Sequence, residues 1–152
     1  VFCNSMKLNI FNWGIFKKSF PKVSFTKQIL KLSLEKIFSV YNISDLSIIF
    51  VTSEEIRRLN REYREVDSVT DVLSFEIVGE PLSGEVYICP EYICLNYSSE
   101  EVLRDIVHGV LHLLGYDHVG KFEEDKQAVE EMFVKQENIL QNILDEINSR
   151  AR

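Results

Sequence analysis

The sequence predicts an α+β fold, in which one mixed, mostly antiparallel-edged sheet of about four strands is packed with about five helices. Strand-like runs alternate along the chain with amphipathic helical patterns. Two strand-like runs are consecutive, and the turn-rich linker Gly79 to Gly84 between them favours an antiparallel hairpin. No repeat, low-complexity tract or long linker divides the 152 residues, so we expect one domain over residues 1–152.

The N-terminal half predicts two strands and two helices. Lys7 to Trp13 alternates apolar and polar residues as a strand does, and the amphipathic helix that follows ends near Asn42. Leu46 to Val51 is a short β-branched run typical of a strand. Thr52 or Ser53 then caps a helix with two glutamates in its first turn, where acidic side chains favour the helix dipole.

The C-terminal half predicts two more strands and two more helices. Val72 to Val78 and Glu85 to Cys89 are the strand-like runs that form the expected hairpin. A helix dense in apolar residues begins at Ser98 or the serine after it and ends before Gly115, because glycine accepts the left-handed conformation that closes a helix. A last amphipathic helix spans roughly residues 121–147.

Charge and composition limit the classes of function. The net charge is −7, but residues 1–64 carry +6 and residues 65–152 carry −13, so a basic face for nucleic acid remains compatible with an acidic protein. No apolar run approaches the roughly 20 residues of a membrane-spanning helix. No secretory signal is recognisable, and Cys3, Cys89 and Cys94 form no disulfide framework; we therefore expect reduced thiols and a cytoplasmic location.

The three histidines of the chain all lie between residues 108 and 118. His108 and His112 stand one helical turn apart on one face of the buried helix, and Gly115 lets the chain turn back so that His118 becomes a third ligand. Three histidines with an open fourth position are typical of catalytic zinc, whose bound water has a pKa near 7. The sequence therefore predicts one Zn²⁺ per chain at the end of this helix. The alternative is three ordinary hydrogen-bonded histidines without metal.

The histidine spacing is also that of the long metzincin zinc signature, His-Glu-x-x-His-x-x-Gly-x-x-His. Gly109 stands where that signature has its catalytic glutamate. A zinc peptidase built on this pattern would lack its general base, although a carboxylate from elsewhere in the chain would be able to replace it.

Arg57, Arg61 and Arg64 recur at helical spacing and would present a row of guanidinium groups. Arginine holds phosphate oxygens in a planar fork and stabilises charge that develops on them, so the row suits a phosphodiester substrate. The alternative is a solvated helix face on which the arginines pair with the glutamates of the same helix.

Three stretches resemble the YbeY family of bacterial single-zinc endoribonucleases involved in ribosomal RNA maturation. They are Asn60 to Phe75 (N-x-x-Y-R-x-x-D-x-x-T-D-V-L-S-F), Gly84 to Cys89 (GEVYIC) and His108 to His118 (HGVLHLLGYDH). The chain departs from the family pattern at Val69, where a proline is common, and at Glu85, where an aspartate is common.

The resemblance implies zinc binding by His108, His112 and His118, a role in catalysis or RNA binding for Arg64, and a catalytic role for His108. It implies a single-strand-specific, metal-dependent endoribonuclease that acts in ribosomal RNA processing, in late 3′-end maturation of small-subunit RNA and in ribosome quality control. The implied partners are single-stranded or ribosomal RNA and ribosomal or ribosome-associated proteins, with no membrane. Asp117 would orient a ligand histidine or cap the turn.

Two other functions stay open at this point. One is a zinc-stabilised, non-catalytic ribosome assembly factor, and the other is a metzincin-like zinc hydrolase. The oligomeric state and the choice between zinc and nickel also stay open, because imidazole ligands suit both metals.

Overall fold

The computed structural model describes residues 6–116 and 125–152. Within them the chain forms four strands and six helices, which confirms the predicted α+β class. In chain order the elements are β1 (Lys7–Phe11), α1 (Trp13–Ser19), α2 (Lys27–Phe38), β2 (Ile43–Phe50), α3 (Ser53–Arg64), β3 (Val72–Ile77), β4 (Leu82–Ile88), α4 (Pro90–Ile93), α5 (Ser99–Leu113) and α6 (Asp125–Arg150).

The first strand is shorter than expected, and a short helix follows it. Asn12 adopts a left-handed conformation with φ 62°, which ends β1, and its side-chain amide donates a hydrogen bond of 3.0 Å to the carbonyl of Phe50. Phe16 of α1 is then fully buried among other aromatic rings. Burial of this ring, which alternation of apolar and polar residues does not reveal, explains why residues 13–19 form a helix.

The sheet has the strand order β1-β2-β4-β3. The pairs β1 with β2 and β2 with β4 are parallel, because helices cross over between these strands. The predicted hairpin is present, with β3 and β4 antiparallel and Ser74 opposite Val86. The sheet is therefore mixed as expected, and β3 is its antiparallel edge.

Helices cover both faces of the sheet. Helices α2, α5 and α6 share the larger hydrophobic core, in which Leu34, Ile106 and Ile143 are fully buried. Helix α3 packs on the other face, where Ile56 and Leu73 belong to a smaller cluster. Burial of α5 against the sheet and α6 explains the density of apolar residues along it.

Two glycines allow α5 to approach β4 closely. A Cβ at Gly109 of α5 would lie 2.6 Å from Cγ1 of Val86 and 2.8 Å from Oγ of Ser74, and a Cβ at Gly84 would lie 2.7 Å from Cδ1 of Leu113. The hydroxyl of Ser74 also donates a hydrogen bond of 3.0 Å to the carbonyl of Gly109. These contacts hold the C-terminal half of α5 beside the antiparallel edge of the sheet.

Local hydrogen bonds hold the end of α3 and the loop that follows it. Thr52 caps the helix by accepting the N–H of Glu55 at 3.3 Å. Glu65 ends the helix with φ 58°, and the amide of the buried Asn60 donates to the carbonyl of Ser68 at 3.0 Å. The loop between α3 and β3 is thereby fixed, and Arg64 stands at its beginning.

The structure also bears on the state of the cysteines and on membrane-spanning segments. Among the described residues, Cys89 is a buried and Cys94 an exposed free thiol. Cys3 lies outside the described residues. Across residues 6–116 and 125–152, the chain forms no helix that combines the length and the apolar character needed to cross a membrane.

Candidate active site

A cleft of about 660 Å³ lies between the C-terminal ends of α3 and α5 and the edge strand β3. Helix α3 contributes Arg64 to its wall, and β3 contributes Ser74 and Glu76. Helix α5 contributes His108 and His112. The structure thus brings together two of the predicted ligands and the arginine on which the phosphate hypothesis depends.

The two histidines point their Nε2 atoms at each other. These atoms are 3.0 Å apart, and the imidazole rings are 4.6 Å apart at an angle of 84°. Both residues are half-buried. The separation of four residues on a helix accounts for this pairing, as the sequence predicted.

The Nδ1 atoms determine the tautomer of both rings. Gly115, with φ 94°, turns the chain back after α5, so that the carbonyl of Tyr116 accepts a hydrogen bond of 3.1 Å from Nδ1 of His112. Nδ1 of His108 donates to the side-chain oxygen of Gln136 on α6 at 2.8 Å. With the proton on each Nδ1, each Nε2 presents its lone pair to the other.

The two Nε2 atoms fit the ligand geometry of a metal ion such as zinc. Two lone pairs that converge at 3.0 Å repel each other unless a metal ion or a shared proton lies between them. Tetrahedral zinc with Zn–N bonds of about 2.05 Å places two ligand nitrogens roughly 3.3 Å apart, close to the observed separation. Within residues 6–116 and 125–152, no group of three or more His, Cys, Asp or Glu side chains is placed to hold a metal. His118 and Asp117 lie outside the described residues, so the third ligand and the role of Asp117 stay predictions.

Arg64 reaches the cleft from the last turn of α3. Its Nη2 donates a hydrogen bond of 3.2 Å to the carbonyl of Ser74, and its guanidinium carbon lies 5.9 Å from the centre of the Phe75 ring. Neither contact neutralises its charge. In the part of the chain that the structure describes, no carboxylate lies within ion-pair distance of this guanidinium. Arg64 is therefore able to attract a phosphate.

The other arginines of the predicted row are bound to carboxylates. Arg57 makes two hydrogen bonds to Asp67, of 2.8 and 3.2 Å, and Arg61 lies 3.6 Å from the same carboxylate. On the same helix, Arg58 is paired with Glu55 and Glu62. Arg58 therefore pairs with glutamates of its own helix, as the alternative expected, whereas Arg57 and Arg61 pair with an aspartate of the following loop.

Comparison with known proteins identifies the family. A family model described as Endoribonuclease YbeY matches residues 16–144. The chain belongs to the YbeY family. Curated proteins named Endoribonuclease YbeY include one from Thermotoga maritima, 38% identical over 128 residues that cover 79% of this chain and 82% of that protein. Another, from Persephonella marina, is 36% identical over 144 residues that cover 85% of this chain and 91% of that protein.

A solved structure has the same fold. The solution structure of TM1509 from Thermotoga maritima superposes with a TM-score of 0.62 at 31% identity, covering 94% of this chain and 93% of that one. The similarity therefore extends over nearly the whole of this YbeY-family chain.

The metzincin-like alternative conflicts with packing at Gly109. This is the position of the metzincin glutamate, and even a Cβ there would meet Val86 and Ser74 at 2.6 and 2.8 Å. The position faces the sheet instead of the cleft. A YbeY-family chain with this packing has no room for a catalytic base at residue 109.

Glu85, where the chain departs from the family pattern, faces away from the histidines. It alternates on β4 with Val86, which packs against α5, so its side chain lies on the α3 face of the sheet. There its carboxylate accepts a hydrogen bond of 3.3 Å from the hydroxyl of Tyr87. Burial and the charge of Glu85 raise the pKa of Tyr87. The departure therefore does not alter the lining of the cleft.

A pair of carboxyl groups beside the cleft was not predicted. Asp105 of α5 is only 5% exposed, and its Oδ2 has no hydrogen-bond partner among the described residues. Burial, with a hydrogen bond to Asp71 and the charge of Asp71, raises the pKa of Asp105 to about 9. Asp71 lines the cleft, and its Oδ1 accepts hydrogen bonds from Thr70 and from the N–H of Val72. The only signal in the sequence was an acidic residue among the apolar positions of α5.

Proposed function

We propose that this chain is a single-strand-specific, zinc-dependent endoribonuclease that holds one zinc ion through His108, His112 and His118. The observation that carries the proposal is the convergence of two imidazole Nε2 atoms, 3.0 Å apart, in the cleft that also contains Arg64. Membership of a family of endoribonucleases supports RNA as the substrate. Nickel is the competing metal, because imidazole binds both ions.

Three residues that line the cleft have roles in this proposal. Zinc, when bound, would supply Lewis-acid catalysis to the attacked phosphodiester. His108 and His112 would hold the ion with their Nε2 atoms, while the acceptors of their Nδ1 protons keep the rings in place. Arg64 would exchange its hydrogen bond to the Ser74 carbonyl for a phosphate oxygen and stabilise the negative charge that develops there.

We further propose a role in ribosomal RNA processing in the cytoplasm, including late 3′-end maturation of small-subunit RNA and ribosome quality control. Ribosomal or ribosome-associated proteins are the expected protein partners. This part of the proposal rests on the resemblance of the three sequence stretches to the YbeY family.

Elemental analysis together with cleavage of a labelled single-stranded RNA tests the proposal. Wild type is expected to carry about one zinc per chain, and His112→Ala is expected to lose both metal and cleavage. Arg64→Ala is expected to keep the metal and cleave about 10²- to 10³-fold more slowly. Arg57→Ala is the matched control, because Arg57 lies on the same helix but is bound to Asp67; it should retain both properties.

Two outcomes would contradict the proposal in different ways. Wild type without metal would refute the zinc site. Metal in wild type, with cleavage that persists equally in His112→Ala and Arg64→Ala, would indicate a contaminating nuclease and favour a non-catalytic assembly factor.

A further inference from the structure

Helix α6 contacts the histidine pair through one buried amide. Gln136 is 8% exposed, and its Oε1 lies 2.8 Å from Nδ1 of His108, which is 28 residues away in sequence. Other glutamines of α6, Gln127 and Gln141, are exposed to water. A glutamine buried against a candidate metal ligand is different, because burying an amide is unfavourable unless it makes specific hydrogen bonds.

A chain of ion pairs determines which way this amide points. Nε2 of Gln136 donates to the carboxylate of Glu137 at 3.2 Å, and Arg104 of α5 holds that carboxylate with contacts of 3.0 to 3.2 Å. Arg104 also binds Glu101 at 2.6 Å. Rotating the amide by half a turn would place its oxygen against a carboxylate. Oε1 therefore remains directed at His108.

The direction of the amide controls the tautomer of His108. An oxygen at this position accepts only from a protonated Nδ1, which leaves the lone pair on Nε2, the atom that faces His112. In a ring with the opposite tautomer, Nε2 would carry the proton and would be unable to bind a metal without first losing it.

We propose that Gln136 is a positioning residue of the histidine site, which holds His108 in the tautomer and orientation that let its Nε2 bind the metal. The inference rests on the proposed function, because the ligand in question is the proposed zinc ion. Gln136 acts through His108 and does not itself line the cleft. The Arg104–Glu137 pair acts one step further away, by orienting the amide.

Two substitutions of Gln136 distinguish the effect of its hydrogen-bond acceptor from the effect of its packing. Gln136→Leu fills similar volume without an acceptor. Gln136→Glu keeps an oxygen in the same place, and it is made together with Glu137→Gln throughout, so that residue 137 donates to the new carboxylate and no two carboxylates face each other. Gln141→Leu is the matched control, because Gln141 is exposed on the same helix and bonds only to Asp145 among the described residues. Thermal unfolding of each variant establishes that it is folded.

The first readout is the tautomer of His108 in metal-free protein, from long-range ¹H–¹⁵N correlations of the imidazole rings. Wild type, Gln136→Glu and Gln141→Leu are expected to protonate Nδ1, and Gln136→Leu is expected to shift protonation toward Nε2. The second readout is the affinity for Zn²⁺ in competition with a chromophoric chelator. We expect it to fall about 10- to 100-fold in Gln136→Leu and to remain near wild type in Gln141→Leu, with most of the loss recovered in Gln136→Glu.

The outcomes distinguish this inference from the proposed function. Unchanged tautomer and zinc affinity in Gln136→Leu would overturn the inference while leaving the zinc site intact. Equal losses in Gln136→Leu and Gln136→Glu would assign the effect to packing and would also overturn it. If wild type bound no zinc, the proposed function would fail, and the tautomer measurement would still decide whether Gln136 orients His108.

Discussion

Replacing Asp105 by asparagine should make the protein more stable, and by an amount that grows with pH. The carboxyl group of Asp105 is 5% exposed and contacts Asp71. Burial has the largest effect on its pKa, followed by Asp71 and the charge of Glu101, and together they outweigh the opposing charge of Arg104 to give a pKa of about 9. At neutral pH the folded protein therefore keeps a proton that the unfolded chain releases.

The sign of the effect follows from this difference in bound protons. Between about pH 4 and pH 9 the folded state binds more protons at Asp105 than the unfolded state, so stability falls as pH rises, by about 1.4 kcal/mol per pH unit. The loss reaches roughly 4 kcal/mol by pH 7. Asparagine does not titrate, and its amide can donate a hydrogen bond to Asp71 as the protonated carboxyl does. Asp105→Asn should therefore remove the decrease in the free energy of unfolding that Asp105 causes as pH rises.

Urea unfolding followed by circular dichroism between pH 5 and pH 9 measures the difference directly. A chelator in every sample prevents pH-dependent metal binding from contributing. Asp145→Asn is the control, because Asp145 is exposed on α6, and its free energy of unfolding should follow wild type at every pH. A constant difference between wild type and Asp105→Asn across this range, or a variant less stable than wild type at pH 8, would refute the reasoning.

Three further predictions concern the cleft and its packing. Gly109→Ala should lower the free energy of unfolding by about 1–3 kcal/mol in urea, because its Cβ would lie 2.6 Å from Val86. Gly14→Ala should not lower it, since no described residue lies within 4 Å of the added Cβ, and equal effects would contradict the packing argument. Arg64→Lys should bind zinc normally but cleave RNA at least about 10-fold more slowly, since lysine lacks the fork of arginine; wild-type rates would assign Arg64 to attraction by charge alone. RNA affinity of a His112→Ala variant should fall steeply with rising salt in a filter-binding titration, and a flat response would argue against phosphate contacts.

Much of the fold could be predicted from the sequence because it depends on local patterns of residues. Apolar periodicity identified α2, α5 and α6, the capping residue and the first-turn glutamates identified α3, and the linker between β3 and β4 identified the hairpin. The short helices α1 and α4 were not predicted as separate elements. Helix α1 depends on the burial of Phe16 among aromatic side chains distant in sequence, so its signal is tertiary.

The sequence by itself determined the features that depend on spacing along one helix or one turn. The histidine pair is the clearest of these, since a separation of four residues on one helix is enough to align His108 with His112. Tertiary structure decided the features that depend on which side chains from different elements come into contact. It neutralised Arg57 with Asp67 while leaving Arg64 in the cleft, and it placed Gln136 against His108. Charge and hydrogen bonding act between atoms that are near in space, and only the packing of α3, α5 and α6 determines which atoms those are.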